Sequence, residues 1–397
     1  MFKREIIELN VQEHFYDTGR LPVLIRWSSS EHASLYSLGS AYFKSAYYIA
    51  ENIITGTRDN IKFDMWFLPC MYLFRQSLEL TIKALAAKIT EHKRIEEMLI
   101  KIQHNLVIGL EYYFNNSDVR SITLDEYHWI KEYIYDIEAA DQASDLFRYP
   151  FSEKFLKTYK NGFLDIVVMV NGLINAYTIL VKEYESDPQC QTHGDPSLPT
   201  AYIVSTDSGL TNCYLWEPVS GNRYMKQITG YSEVAYELYQ RFVSMATNDR
   251  DSQQIMPILF LLRNCIELQL KELLHIEVEQ NVDDAKLTHI KNSHVLYREL
   301  WKTLRPVLDY YGSERGYDDT TVEILDHHIK ELSHIDKNGD MFRYPFSYNL
   351  QYRLCDKPIH IDKAVNWMLS IIDSLDGCSF MLSEIAEYNA EMLSYYE

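Results

Sequence analysis

The chain is poor in the residues that break or staple helices. Its 397 residues include only 14 Gly and 11 Pro, which excludes collagen-like and linker-like sequence and disfavours turn-rich sandwiches and barrels. Cysteine is scarce: six residues, at 70, 190, 213, 265, 355 and 378, with no C-x-x-C pair. Zinc-binding and thioredoxin-like spacings are therefore absent, and a reducing compartment fits. Positive charge is short as well. Lys plus Arg number 38 and Asp plus Glu 57, a net charge of −19 that repels polyanions at long range. A broad grip on nucleic acid is excluded, and only a local basic pocket is left open. No P-loop, G-x-S-x-G, H-E-x-x-H or G-x-G-x-x-G occurs, and no cofactor or metal is expected. The N-terminal MFKREIIELN has no apolar signal core, and the best membrane candidate, residues 163–181, is interrupted by Asp165, Asn171 and Asn175. A buried helix is expected there, in a cytoplasmic protein that does not enter membranes.

What is present is an internal repetition. The chain is 47% apolar and 24% charged, too hydrophobic for disorder, and holds 31 Tyr. Residues 69–85, PCMYLFRQSLELTIKAL, align without gaps with residues 257–273, PILFLLRNCIELQLKEL, sharing Pro, Leu, Arg, Glu, Leu, Lys and Leu. Phe147-Arg148-Tyr149-Pro150-Phe151-Ser152 recurs as residues 342–347, preceded at equal spacing by Asp141 and Asp145 or Asp336 and Asp340. Between these, His104-Asn105-Leu106 with Leu110 matches His294-Val295-Leu296 with Leu300. The order is kept and only loops lengthen, the mark of a duplication.

The spacing predicts an all-α chain: two tandem four- to five-helix bundles, residues 1–185 and 230–397, pairing as an internal pseudo-dimer. Residues 186–229 form a linker, with a small hairpin expected within 201–224 and another extended piece at LPVLIRW. In each copy a first helix (40–54, 232–246) precedes an apolar central helix with Pro69 or Pro257 in its first turn. A third helix is expected around His104 or His294, and a fourth over 124–139 or 320–333. The F-R-Y-P-F stretch is a non-helical elbow, since the residue before Pro leaves the α region. A last helix spans 163–183 or 361–387.

The recurring polar residues are the candidate site. Arg75, Glu79 and Lys83 share one helical stripe at steps of four, as do Arg263, Glu267 and Lys271. A solvated ladder would explain them only weakly, because the helix is otherwise apolar and both copies keep the same three charges. In a structural reading, Arg148 reaches Glu79 and Arg343 reaches Glu267, pinning each elbow to a central helix. In a functional reading, His104 and His294 stand near these arginines as acid–base groups facing a phosphodiester. His327-His328 has no counterpart in the first copy and looks incidental.

The pattern R-[QN]-x2-E-L-x2-K-x-L in a helical bundle resembles the HEPN superfamily, with Arg263-Asn264, and less closely Arg75-Gln76, like that family's Arg-polar pair. The resemblance spans both copies. It implies bundles working as dimers, in many members as metal-independent ribonucleases of toxin–antitoxin, abortive-infection and CRISPR systems. The family's R-x4-6-H histidine would fall at Leu80, Thr81 or Ile82 and at Leu268, Gln269 or Leu270; neither copy has it. On this reading Arg75 and Arg263 bind the phosphate, His104 and His294 act as acid and base, and Glu79, Lys83, Glu267 and Lys271 orient them. The expectation is an RNA-targeting effector of a prokaryotic conflict system, acting on RNA or a nucleotide beside a protein partner or another copy of itself. The alternatives are a non-catalytic helical scaffold or sensor, favoured by an acidic, Tyr-rich surface, and a module that holds a small phosphate ligand. An electropositive pocket within the acidic shell would separate the ligand-binding readings from the scaffold.

Overall fold

A computed structural model of the chain is built mainly from helices, as the low Gly and Pro content predicts. It describes residues 5–394 apart from 57–58, 60, 118–119, 160–161, 187–192, 208, 210–211, 215–222, 278–292 and 315–319. Cys190 and parts of the linker lie outside the described residues. The first half holds α1 (Glu31–Thr55), α2 (Phe67–Lys88), α3 (Ile95–Ile102), α4 (Leu106–Asn116), α5 (Leu124–Ala140), the short α6 (Glu153–Thr158) and α7 (Ile166–Glu185). The second half holds α8 (Met225–Ser244), α9 (Ile255–Glu277), α10 (Lys302–Glu314), α11 (Thr320–Ile335) and α12 (Ile361–Ser394).

The apolar sequences of α2 and α9 put them at the centre. Every residue from Phe67 to Ala87 is buried, and so is every residue of 255–274. Pro69 and Pro257 sit in the first turns, where a missing N–H leaves no intrahelical bond unmade. The two helices meet where the rings of Tyr72 and Phe260 stack, 4.8 Å apart at 16°. Those two residues occupy matching places in the repeated segment. One hydrophobic core draws on both halves.

The remaining helices start where short polar side chains satisfy free N–H groups. Asn105 accepts from Ile108 N–H at 2.7 Å to begin α4, and Thr123 with Glu126 forms a reciprocal capping box for α5. Asp165 accepts from Val168 N–H at 3.0 Å. It interrupts the apolar run because it opens α7, which therefore starts at Ile166 and not at Phe163. Helix α7 is long and apolar enough to cross a membrane, but 67% of its most apolar stretch is buried against the rest of the protein. Its hydrophobicity is accounted for by the core.

Short strands tie distant segments together. β1 (Pro22–Val23), within LPVLIRW, pairs antiparallel with β5 (Ile359–His360). The expected hairpin within 201–224 does not form as such. β3 (Ser205–Thr206) and β4 (Cys213–Tyr214) both pair with β2 (Phe163–Leu164), which lies between them. Nonlocal pairing wins here because β2 offers both its edges immediately before α7.

Candidate functional site

The stripe on α2 is an interior charge network. Arg75 is 0% and Glu79 1% exposed, which removes the solvated-ladder reading. Arg75 Nη1 meets Glu79 Oε2 at 3.2 Å, and Nη2 donates to the His104 carbonyl at 2.9 Å. Glu79 Oε1 accepts from Lys83 Nζ at 2.7 Å and lies 3.2 Å from His104 Nδ1. On α9 the same atoms meet in the same way. Arg263 pairs with Glu267 and donates to the His294 carbonyl at 2.7 Å, while Glu267 Oε1 lies 2.9 Å from both Lys271 Nζ and His294 Nδ1. Asp141 and Asp336 complete the clusters, 3.9 Å from Arg75 Nε and 2.9 Å from Arg263 Nε. Arg75 and Arg263 are thus enclosed, with both terminal nitrogens of each paired and only Nε left without a hydrogen bond. They hold the loop that carries the histidine, and a bound phosphate would not reach them.

The elbows do not bind as the sequence reading expected. Arg148 does not reach Glu79, nor Arg343 Glu267. Arg148 Nε and Nη2 donate to Asn264 Oδ1 of α9 (3.2 and 3.1 Å), and Arg343 Nε and Nη2 donate to Gln76 Oε1 of α2 (3.3 and 3.1 Å). Each elbow has crossed to the opposite half, and each arginine rests on a neutral amide. The crossing has a visible cause: Tyr231 of α8 donates to the Phe147 carbonyl and Tyr42 of α1 to the Phe342 carbonyl (3.2 and 3.0 Å). It delivers a tyrosine into each cluster. Tyr149 Oη donates to Glu267 Oε1 at 2.6 Å and lies 3.1 Å from His294 Nδ1; Tyr344 Oη does the same to Glu79 and His104 at 2.6 and 3.1 Å. Lys271 and Lys83 lie over these two rings, 4.3 and 4.4 Å from their centroids.

The electrostatics follow from this enclosure. Burial pushes the carboxyls of Glu79 and Glu267 up, but Lys83 and Lys271 with the neighbouring arginine and histidine outweigh it and hold both well below the usual range. Both stay ionised. Burial lowers Lys83 and Lys271, against the pull of their glutamates. Glu79 draws the His104 imidazole up, yet burial, Arg343 and Lys83 together leave it lowered. In each cluster the ionised glutamate fixes the proton on Nδ1. That leaves the Nε2 lone pair on the outer edge of a ring whose side chain is 36% exposed in His104 and 43% in His294. An imidazole anchored in this way is set up to take a proton from a bound molecule.

The clusters differ in what lies outside them. Beside His294 opens a cavity of about 450 Å³, lined also by Arg148, Tyr149, Arg223, Lys271, His275 and Asp145. Two arginines, a lysine and two histidines thus face one acid, within a chain of net charge −19. Beside Tyr344 and Lys83 the space is only about 30 Å³, lined by Asp340, Phe346, Tyr348 and Arg353. The chain after the second elbow folds back there: Arg353 N–H bonds the Pro345 carbonyl at 2.9 Å and its guanidinium meets Asp340 Oδ2 at 2.8 Å. After the first elbow the chain turns into α6, where Glu153, in the place of Tyr348, is exposed and paired with Lys157.

Sequence reasoning brought together Arg75, Glu79, Lys83 and His104, and Arg263, Glu267, Lys271 and His294, as they are found. It missed Tyr149 and Tyr344, although both lie in the repeated hexapeptide. It also missed His275, the next step of the Arg263–Glu267–Lys271 stripe; the matching step after Lys83 is Ala87. Arg223 carried no sequence signal, since it lies in the linker. No known protein family, curated protein or solved structure matches the chain.

Proposed function

We propose that the protein is an RNA-directed effector with HEPN-like modules, its two halves acting as an internal pseudo-dimer, and that it cleaves phosphodiester bonds without a metal at the cavity beside His294. The observation that carries this reading is a cationic cavity, in an otherwise acidic chain, whose wall presents a histidine anchored through Nδ1 to a buried, ionised glutamate. His294 Nε2 takes the proton of a ribose 2′-hydroxyl as that oxygen attacks the adjacent phosphorus. The bond from phosphorus to the 5′-oxygen breaks, and the leaving oxygen takes a proton from His275 in its protonated form. The products are a 2′,3′-cyclic phosphate and a 5′-hydroxyl. Lys271, Arg148 and Arg223 offset the charge that grows on the phosphoryl oxygens. Arg263 and Glu267 are positioning residues in this scheme, and the crossed Tyr149 makes the site dependent on both halves. The resemblance to HEPN proteins supplies the setting, a prokaryotic conflict system.

The test is incubation of purified protein with total RNA and tRNA in chelator, beside His294→Ala and His275→Ala variants of unchanged melting temperature. Discrete fragments ending in cyclic phosphate, reduced about 100-fold or more by His294→Ala, support the proposal. Intact RNA throughout would sink it and favour the scaffold.

A further inference from the structure

A second group of chemically active side chains lies away from both clusters, where the N-terminal segment crosses α11. His14, His327 and Glu331 bring their donor atoms within 4.8 Å of one another. His327 and Glu331 stand four apart on α11 and so share a face. His14 comes from the far end of the chain and is held in place by its neighbour, since Phe15 is 0% exposed and packs on Trp367 and Phe342. The carboxylate is held too: Glu331 Oε1 accepts from Phe15 N–H at 3.1 Å while Oε2 meets His14 Nδ1 at 2.7 Å. The adjacent His328 is a different kind of residue. Its Nδ1 accepts from Trp367 Nε1 at 2.9 Å and its Nε2 donates to the Asn10 carbonyl at 3.1 Å, so both nitrogens are used in the core.

We propose that His14, His327 and Glu331 bind one divalent transition-metal ion of the zinc class, which fastens the N-terminal segment to α11. Two imidazoles and a carboxylate are a ligand set that zinc accepts, with water completing the shell. A tetrahedral ion with bonds of about 2.0–2.2 Å needs donors roughly 3.4 Å apart. The exposed ring of His327 can close the remaining gap by rotation of its own side chain. The ion replaces the proton between His14 Nδ1 and Glu331 Oε2, so binding releases a proton and strengthens as pH rises through neutrality. This site is separate from the RNA-directed reading and stands or falls alone.

The experiment uses untagged full-length protein, stripped with chelator and titrated with zinc chloride by calorimetry, and with cobalt(II) followed by visible absorption. One equivalent is expected, with a higher melting temperature and a tetrahedral cobalt spectrum. His327→Ala, at an exposed position that leaves the core intact, should abolish binding, and Glu331→Gln should weaken it at least tenfold. A Cys355→Ser control should still bind one equivalent. Failure to saturate, or unchanged binding in both His327→Ala and Glu331→Gln, would overturn the assignment.

Discussion

The two charge clusters have nearly the same interior and opposite exteriors. Each has an arginine on a histidine carbonyl, a glutamate shared by lysine, histidine and tyrosine, and an aspartate behind the arginine. Beside one the space, lined by Tyr348 and Arg353, is only about 30 Å³, and beside the other lies a cationic cavity of about 450 Å³. The difference separates two jobs that one cluster alone would confound. The shared interior is what it takes to hold a crossed elbow on a central helix. The cavity, with His275 and Arg223, is an addition on one side. A buried charge network is therefore not by itself a sign of function, and the access beside it carries more weight.

Removing the common glutamate should have the largest effect, and a similar one on both sides. Glu79→Ala or Glu267→Ala leaves a buried lysine without its anion and a buried arginine with only the aspartate behind it, a loss of about 3–5 kcal/mol measurable by urea denaturation. A loss confined to one variant would break the equivalence of the interiors. Next is the split in activity. His294→Ala should lower RNA cleavage about 100-fold, equivalent to about 2.7 kcal/mol, whereas His104→Ala should leave it within about twofold. Equal effects would show that the small space beside the first cluster does not keep RNA from His104.

Tyr149→Phe and Tyr344→Phe each remove a hydrogen bond to a buried carboxylate, and a loss of about 1.5–3 kcal/mol is expected in each. The elbows themselves differ by a smaller amount. Gly339 has φ of +77° and its counterpart Ser144 φ of +58°, both left-handed. Ser144→Gly should stabilise by about 1 kcal/mol, and Gly339→Ala should destabilise by at least as much, since the new Cβ would lie 3.1 Å from Arg263 Nη2. Thermal melts decide both.

The smallest effect is one of pH. The folded His104 imidazole is lowered, so the unfolded chain takes up its proton first, near pH 6.5. Stability should fall as pH drops from there to the lowered folded value and level off below it. His104→Asn should reduce that slope in a series of urea titrations, leaving the part due to His32 and His328, which burial also lowers.

Much of this was legible in the sequence. The helices and the Arg–Glu–Lys stripes follow from period, polarity and repetition along the chain, whereas the nearness of His104 and His294 to the stripes was only one of two readings. The strand β2, inserted between β3 and β4, was not legible, because two-residue strands carry no period. The tyrosines of the hexapeptide were in view but unassigned, since nothing local tells which half an elbow docks on. His275 was one step beyond a stripe already noted, and its significance depends on Ala87 standing in the matching place.

The sequence alone determined a mainly helical chain with two matched sets of charged residues on apolar helices, since spacing along a helix fixes which side chains share a face. Only the tertiary structure decided that each elbow serves the opposite half and that a large cavity lies beside one cluster while only a small space lies beside the other. Those outcomes depend on contacts between residues 116 to 267 positions apart, such as Arg148 with Asn264 and Arg343 with Gln76. No local pattern encodes such contacts, and packing of the whole core selects among them.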